Sequence, residues 1–440
     1  MVNFTKWKSF LTLCFTVILI TVFTKIVLAQ HSNETNQQSP FALQTVKVNI
    51  PNLVTIAIES NPTLTAMRRE FDATRARIPQ AKALADPIVS FGNTTVGNPI
   101  PFTGISDDFH DFSFGISQEM PWFGVRRLRG EIASSESEAK FQDYQLAIKQ
   151  LTSEVKIAAY ELYNFDRALY IVNRDLEILK KFAKVAEARY SVGKAQQIDV
   201  INARVEITEL LDKQGELESK RAIAVAHINH LLYRDLETPM GEMEEVHISP
   251  MPASLEELIP LALDNSPELQ QHRRKIDASN HSLRLAEREA KYPEVGFNFT
   301  YHKRRGFSDY YTYGISFKLP FYAFKKQRYA VAEQSANLAA ERSRFSATAS
   351  MIRYKVKDGL VRARTAQRLI KLHEEGILPQ ATLALESAIA GYEVGQVDFL
   401  TLLKTLKRAL DYETRYYQLL TDYQKSLAEM EVYVGVELTK

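Results

Sequence analysis

A single cysteine, Cys14, occurs in 440 residues. It sits inside an apolar run, Phe10 to Phe23, that follows Lys6 and Lys8 and precedes Val27-Leu28-Ala29. That is the layout of an export leader over residues 1–29. Leu11-Thr-Leu-Cys14 is embedded in the run, so it does not read as a lipidation site. The run is about 14 residues, short of the ~20 a spanning helix needs; an uncleaved anchor is the alternative. Loss of the leader removes the only thiol and excludes both a disulfide framework and a cysteine metal site. Charge of one sign is also missing. The formal net charge is +2, and becomes −1 when Lys6, Lys8 and Lys25 leave with the leader. This balance gives no footprint for nucleic acid. The motifs of catalysis are absent too: there is no Walker loop, no His-Glu-x-x-His and no Gly-x-Ser-x-Gly. His227 and His230 have the spacing of a helical metal pair but no further ligand nearby, so neither an enzyme nor a cofactor is expected.

Proline and glycine are sparse where it matters most. From Trp122 to Val192 there is no proline, and glycine occurs only at Gly124 and Gly130; from Phe324 to Val394 the only proline is Pro379. About 70 uninterrupted helical residues would span ~105 Å. Two such helices, 122–192 and 324–394, are expected.

What is present is written twice. Ile56-Ala-Ile-Glu-Ser-Asn-Pro62 returns as Leu261-Ala-Leu-Asp-Asn-Ser-Pro267, and Tyr190-Ser-Val-Gly193 returns as Tyr392-Glu-Val-Gly395. Phe112-Ser-Phe-Gly-Ile-Ser-Gln-Glu-Met-Pro-Trp122 has its counterpart in Tyr311-Thr-Tyr-Gly-Ile-Ser-Phe-Lys-Leu-Pro-Phe321. A period near 200 residues is far too long for a solenoid and indicates duplication of a whole subdomain. The organisation read from this is a polar tether over 30–50, a first repeat over 51–233, a linker over 234–253 and a second repeat over 254–433. Each repeat holds a short helix, a second helix begun by proline, two strands, a long helix and a return helix. The strands are expected at 86–97 and 109–120, then 293–303 and 309–320, and the return helices at 198–233 and 398–433. Pro79 should kink or shorten its helix. Leu403, Leu406, Leu410, Tyr417, Leu420 and Leu427 form a heptad seam on the last helix.

The strands alternate. Val295, Phe297, Phe299 and Tyr301 share one face, as do Tyr311, Tyr313, Ile315, Phe317 and Leu319, while small and polar residues take the other. Strands of about 10 residues with one aromatic and one polar face suit a wall between lipid and water. Four strands cannot close, and open edges are not tolerated in lipid, so further copies of the chain must complete the barrel. Two copies would give a barrel filled by its own side chains, which makes three the smallest ring with room for a conduit. A soluble four-stranded sandwich is the alternative, but it leaves the long helices unexplained. Trp122, Phe123, Phe321 and Tyr322 stand where an interfacial aromatic girdle belongs. Arg126, Arg127 and Arg129, and Lys325, Lys326 and Arg328, follow them at helix starts, where cations oppose the helix dipole. They are expected to meet lipid phosphates or acidic neighbours.

Further words fix a resemblance: Asn61-Pro-Thr-Leu, Ala83-Leu-Ala-Asp-Pro87, Ser117-Gln-Glu-Met-Pro-Trp122, Arg189-Tyr-Ser-Val-Gly-Lys194 and Ile228-Asn-His-Leu-Leu232. In this order and in duplicate, they resemble the TolC-like outer-membrane factors of tripartite efflux systems, closest to the heavy-metal branch of the CzcC and CusC type, over essentially the whole mature chain. The resemblance implies a mainly α fold with a small β part. It implies long antiparallel helical hairpins and four transmembrane strands per chain, and a homotrimer with a 12-stranded barrel on a 12-helix tunnel. It implies a passive outer-membrane channel with a periplasmic extension, serving a periplasmic adaptor and an inner-membrane pump of the RND type, with heavy-metal cations as cargo. Type I secretion or drug efflux is the alternative, and a periplasmic coiled-coil adaptor is the rival of another class. In the family the glycine turns form the periplasmic tip. Gly193 with Val192 and Gly395 with Val394 match the turns that meet the adaptor, and Tyr190, Asp199, Tyr392 and Asp398 match the constriction. Both aspartates also suit helix N-caps. Some relatives close the tip with a tyrosine–aspartate–arginine lock; the second tip here offers no clear arginine, and at the strand–helix junction the second copy has Ala323-Phe324 where the first has Gly124.

Overall fold

The computed structural model describes residues 48–95, 110–251, 254–304, 306–319 and 321–439. The leader and the tether up to residue 47 lie outside the described residues. Val48 already belongs to the folded body, because it bridges Met243 in parallel, and helix α1 begins at Ile50. The tether expected to residue 50 therefore ends earlier.

The elements in order are α1 (Ile50–Ser60), α2 (Pro62–Lys82), β1 (Ile88–Thr95), β2 (His110–Met120), α3 (Val125–Ser191) and α4 (Gln197–Leu231). The second half follows with α5 (Leu255–Asn265), α6 (Pro267–Lys291), β3 (Glu294–Arg304), β4 (Tyr310–Lys318), α7 (Arg328–Leu372), α8 (Leu378–Glu393) and α9 (Phe399–Val434). Asn61 separates α1 from α2 and accepts hydrogen bonds from the amides of Thr63 and Leu64, while proline fills the first helical position of α2. Pro79 does not end α2, which continues to Lys82; only one turn follows it, so the missing N–H affects little of the ladder.

At 67 residues, α3 is about 100 Å long. Its counterpart is not α-helical throughout. A π-helical turn, His373–Ile377, lies between α7 and α8 within the stretch expected as one long helix over 324–394, and the backbone stays helical through it. Pro379 is the cause: it has no N–H, and its ring crowds the carbonyl four residues back, so the preceding turn widens. The amide of Leu378 accordingly donates to the carbonyl of His373, five residues earlier.

Three apolar cores run along the helices. One joins α3 and α4 to α8 and α9 in the half that ends at the glycine turns. A second packs α1 against the middle of α3 and the end of α4. The third packs α5 and α7 against the end of α9. Ser60 at the end of α1 donates to the Leu232 carbonyl just beyond α4, so α4 and then α1 and α2 follow one another along the flank of α3. The heptad leucines of α9 are all buried, and Tyr417 packs against two of the cores.

The four strands form one antiparallel sheet in the order β1-β2-β3-β4. The segment expected to complete the first strand and begin the second, over 96–109, lies outside the described residues. Among the described residues no helix is long and apolar enough to cross a membrane.

Candidate functional site: strand wall, junctions and tips

Pairing places Phe299 opposite Tyr313 on one side and Ile116 on the other, and aligns Phe114 with both Tyr301 and Phe91. With a period of two, Val89, Phe91, Phe112, Phe114, Ile116, Phe299, Tyr311, Tyr313 and Phe317 fall on one face. This apolar face is bare in the protomer: Phe91 is 81 % exposed and Tyr313 79 %. The rings contact one another, as at Phe91–Phe114 with centroids 5.2 Å apart and Phe299–Tyr311 at 5.9 Å.

The opposite face carries Ser90, Gly92, Ser113, Gly115, Gly296, Asn298, Gly314 and Ser316. Glycines there lie across from serine or asparagine, so closely that a side chain at Gly115 would strike the hydroxyls of Ser90 and Thr300. At the end of this face a polar group joins three strands. Asp111, only 5 % exposed, accepts hydrogen bonds from His302 Nδ1 (2.9 Å) and the Tyr310 hydroxyl (3.1 Å), and the two rings stack 4.3 Å apart. Sequence reading missed this group. Asp111 and His302 stand 191 residues apart, and only the β2–β3 register unites them.

At the first junction, Trp122 is half-buried and stacks flat on Tyr292, with centroids 5.3 Å apart, whereas Phe123 is 85 % exposed. Gly124 adopts φ +85° to turn the strand into α3. The second junction has no such glycine. There a π turn over Ala323–Gln327 opens the entry to α7, and this is how the chain accommodates the departure at Ala323-Phe324. A side chain at Gly124 would cost about 1–2 kcal/mol in left-handed backbone, besides displacing the Arg288 guanidinium. Gly124→Ala should accordingly lower the thermal midpoint; an unchanged midpoint would mean that this turn rearranges freely.

The junction cations differ between the copies. Arg126 donates to the Lys82 carbonyl at the end of α2 (2.7 Å), Arg127 pairs with Glu131 (3.3 Å) and Arg129 with Glu289 (3.0 Å). Arg126 and Arg129 therefore fasten α3 to α2 and α6, and Arg127 pairs within α3. Phe321 and Tyr322 are exposed, and Lys325 and Lys326 are exposed with no ion-pair partner among the described residues.

At the tips, Gly193 and Gly395 adopt φ +70° and +81°, the left-handed caps that end long helices. Tyr190, Val192 and Val394 are exposed beside them. Asp398 is the N-cap of α9 and accepts from the Thr401 amide (2.6 Å). That hydrogen bond holds its carboxyl below the ordinary aspartate range. Asp199 completes a capping box with Gln196 at the start of α4. Tyr392 is placed differently from Tyr190: its side chain is 3 % exposed in the protomer and lies between Phe182 and Phe399. The i, i+4 spacing with buried Ala388 puts it on the inward stripe of its helix.

The arginine missing from the second tip comes from the first. Arg189 lies over the Tyr392 ring, 4.6 Å from its centroid, and donates to the Glu393 carbonyl (2.6 Å). Burial raises the Tyr392 phenol above its usual range, with Arg189 opposing. The two hairpins of one protomer are thus latched at their tips. Nearer the middle, Arg174 bonds Glu413 through both terminal nitrogens (3.1 and 2.6 Å).

One further network escaped the sequence. Lys156 Nζ, on α3, bonds Glu431 (2.8 Å), Glu437 (3.0 Å) and Thr439 (2.7 Å), and Glu431 also accepts from the amides of Leu438 and Thr439. It pins the C-terminal segment to the centre of the long helix. Among the described residues no group of three His, Cys, Asp or Glu side chains is arranged to hold a metal, and His227 and His230 gain no third ligand.

A lipid-type face on a sheet fused to long helical hairpins defines a class of channel, and comparison with known proteins gives the family. The model of the outer membrane efflux protein family matches residues 53–232 and again 258–436. The chain belongs to that family. It is 22 % identical over 393 residues to the cobalt-zinc-cadmium resistance protein CzcC of Cupriavidus metallidurans, covering 87 % of this chain and 88 % of that one. Among solved structures, CusC superposes with a TM-score of 0.76 at 16 % identity, covering 89 % of this chain and 92 % of CusC. The outer-membrane channel OprN gives 0.75 at 18 %, covering 88 % and 89 %. The open-state MtrE outer membrane channel of Neisseria gonorrhoeae gives 0.74 at 15 %, covering 89 % of each chain. The fold is that of these channels, mainly helical with a small antiparallel sheet.

Proposed function

We propose that this protein is the outer-membrane conduit of a tripartite efflux system, a passive homotrimer that an adaptor and an RND-type pump load from the periplasmic side. One observation carries the reading: a four-stranded sheet with a bare aromatic face, whose two edges pair with no strand among the described residues, is continuous with helices about 100 Å long. Three copies, pairing the β1 edge of each with the β4 edge of the next, leave no edge open to lipid. The small polar face then lines a water-filled barrel, and the hairpins extend it through the periplasm. Gly193 and Gly395, with Val192 and Val394, form the end that meets the adaptor. The chain performs no chemistry and needs no cofactor; its work is to seal the path and set its width and charge.

Heavy-metal cations are the cargo we assign, supported by the likeness to CzcC. Asp398 is exposed at the tip, and its cap bond keeps it ionised at periplasmic pH, so three copies would give a carboxylate ring that favours cations. Recovery of a heat-modifiable trimer from the outer membrane tests the conduit; recovery from the inner membrane would point to an adaptor. Asp398→Ala should weaken divalent-cation block of conductance in planar bilayers, and an identical block would remove the selectivity role from this residue.

A further inference from the structure

Between the two junctions lies a cleft of about 380 Å³, walled by Trp122, Tyr292, Leu319, Tyr322, Lys326 and Gln327. Its two carboxylates are already neutralised: Glu289 by Arg129 (3.0 Å) and Glu294 by Lys318 (2.8 Å). Lys326 lines it, and neither Lys326 nor its sequence neighbour Lys325 has an ion-pair partner among the described residues, in contrast to the arginines of the first junction. The backbone amides of Lys325 and Lys326 donate to the Tyr322 carbonyl, so any anion here is met by ammonium groups and not by a free helix end. Gln327 has its side-chain oxygen buried with no hydrogen-bond donor among the described residues. Above the cleft, Leu319, Phe317 and Ile315 continue it as an exposed apolar track up the lipid-type face.

We infer that this cleft binds one glycerophospholipid of the adjoining leaflet in each protomer. The phosphate lies against Lys325 and Lys326, and a donor on the headgroup (an ammonium or a hydroxyl) meets Gln327. One acyl chain runs along the Trp122–Tyr292 stack and the Leu319–Phe317 track. Three features fit one occupant: cations and an acceptor that find no partner among the described residues, and an apolar track that leads toward the strands. Free phosphate would use the lysines alone. The inference rests on the conduit reading, since it takes the aromatic face to be in lipid.

Native mass spectrometry of the trimer from nanodiscs of phosphatidylethanolamine and phosphatidylglycerol tests it, with conductance recorded on the same preparation. One phospholipid per protomer should survive detergent transfer of the wild-type trimer. Lys325→Glu with Lys326→Glu should cut that occupancy at least ten-fold, and the milder Lys326→Met should lower it with assembly intact. Lys303→Glu, at the other end of β3, should leave it unchanged. Conducting trimers that carry no phospholipid, or double variants that keep the wild-type number, overturn the lipid site alone. Failure to form conducting trimers at all overturns the conduit reading beneath it.

Discussion

Tyr313→Lys should abolish assembly, while Thr312→Lys, one residue away on the same strand, should be tolerated. Tyr313 is 79 % exposed in the isolated protomer, so a soluble sheet would accept or even welcome lysine there. In a bilayer the same change puts an ammonium near the middle of the hydrocarbon, at about 2–4 kcal/mol for each protomer. A trimer would bear that three times, roughly 6–12 kcal/mol in all, as much as the whole folding stability of an ordinary domain. Thr312 stands on the polar face, where an added cation meets water. Yields of heat-modifiable trimer in the outer membrane report the difference. Equal yields for the two variants would mean that the aromatic face does not meet lipid.

Lys156→Met should be the most damaging single change in the helical part. Lys156 is 6 % exposed and Glu431 5 %. Removing one partner of a buried pair leaves an uncompensated charge, a loss of about 3–5 kcal/mol. The Glu431 carboxylate would keep its hydrogen bonds to Leu438 and Thr439 but have no cation, and the C-terminal segment should loosen from α3. The more exposed pair of Lys425 with Glu161 supplies the comparison: Lys425→Met should cost under about 1 kcal/mol. Denaturant or thermal unfolding of the solubilised protein measures both, and equal effects would contradict a structural role for the buried network.

Which of these features could be read from the chain follows from the range of the interaction. Alternation with a period of two made the aromatic face legible at Phe297, Phe299, Tyr311 and Tyr313, because a strand sends neighbouring side chains to opposite sides whatever it pairs with. The absence of proline and glycine marked α3, and the left-handed turns at Gly193 and Gly395 announced themselves as glycines. The N-cap role of Asp398 was legible for the same reason, since the bond spans only a few residues, whereas Asp199 caps α4 from its third position with Gln196 as the N-cap. What escaped was assembled across the duplication. Arg189 and Tyr392 meet from different hairpins, Asp111 and His302 from different strands, and Lys156 and Glu431 are 275 residues apart. No local pattern distinguishes such a lysine from the solvated ones on every side of it. The π turn before Pro379 fell between the two cases: proline announced a disturbance, but its form depended on how the widened turn could still pack.

Electron cryomicroscopy of the detergent-solubilised protein tests the conduit most directly. A three-fold tube is expected, with twelve strands closed into one barrel and a helical extension of about 100 Å. A monomer with an open four-stranded sheet, or a two-fold assembly whose eight strands leave no channel, would contradict it.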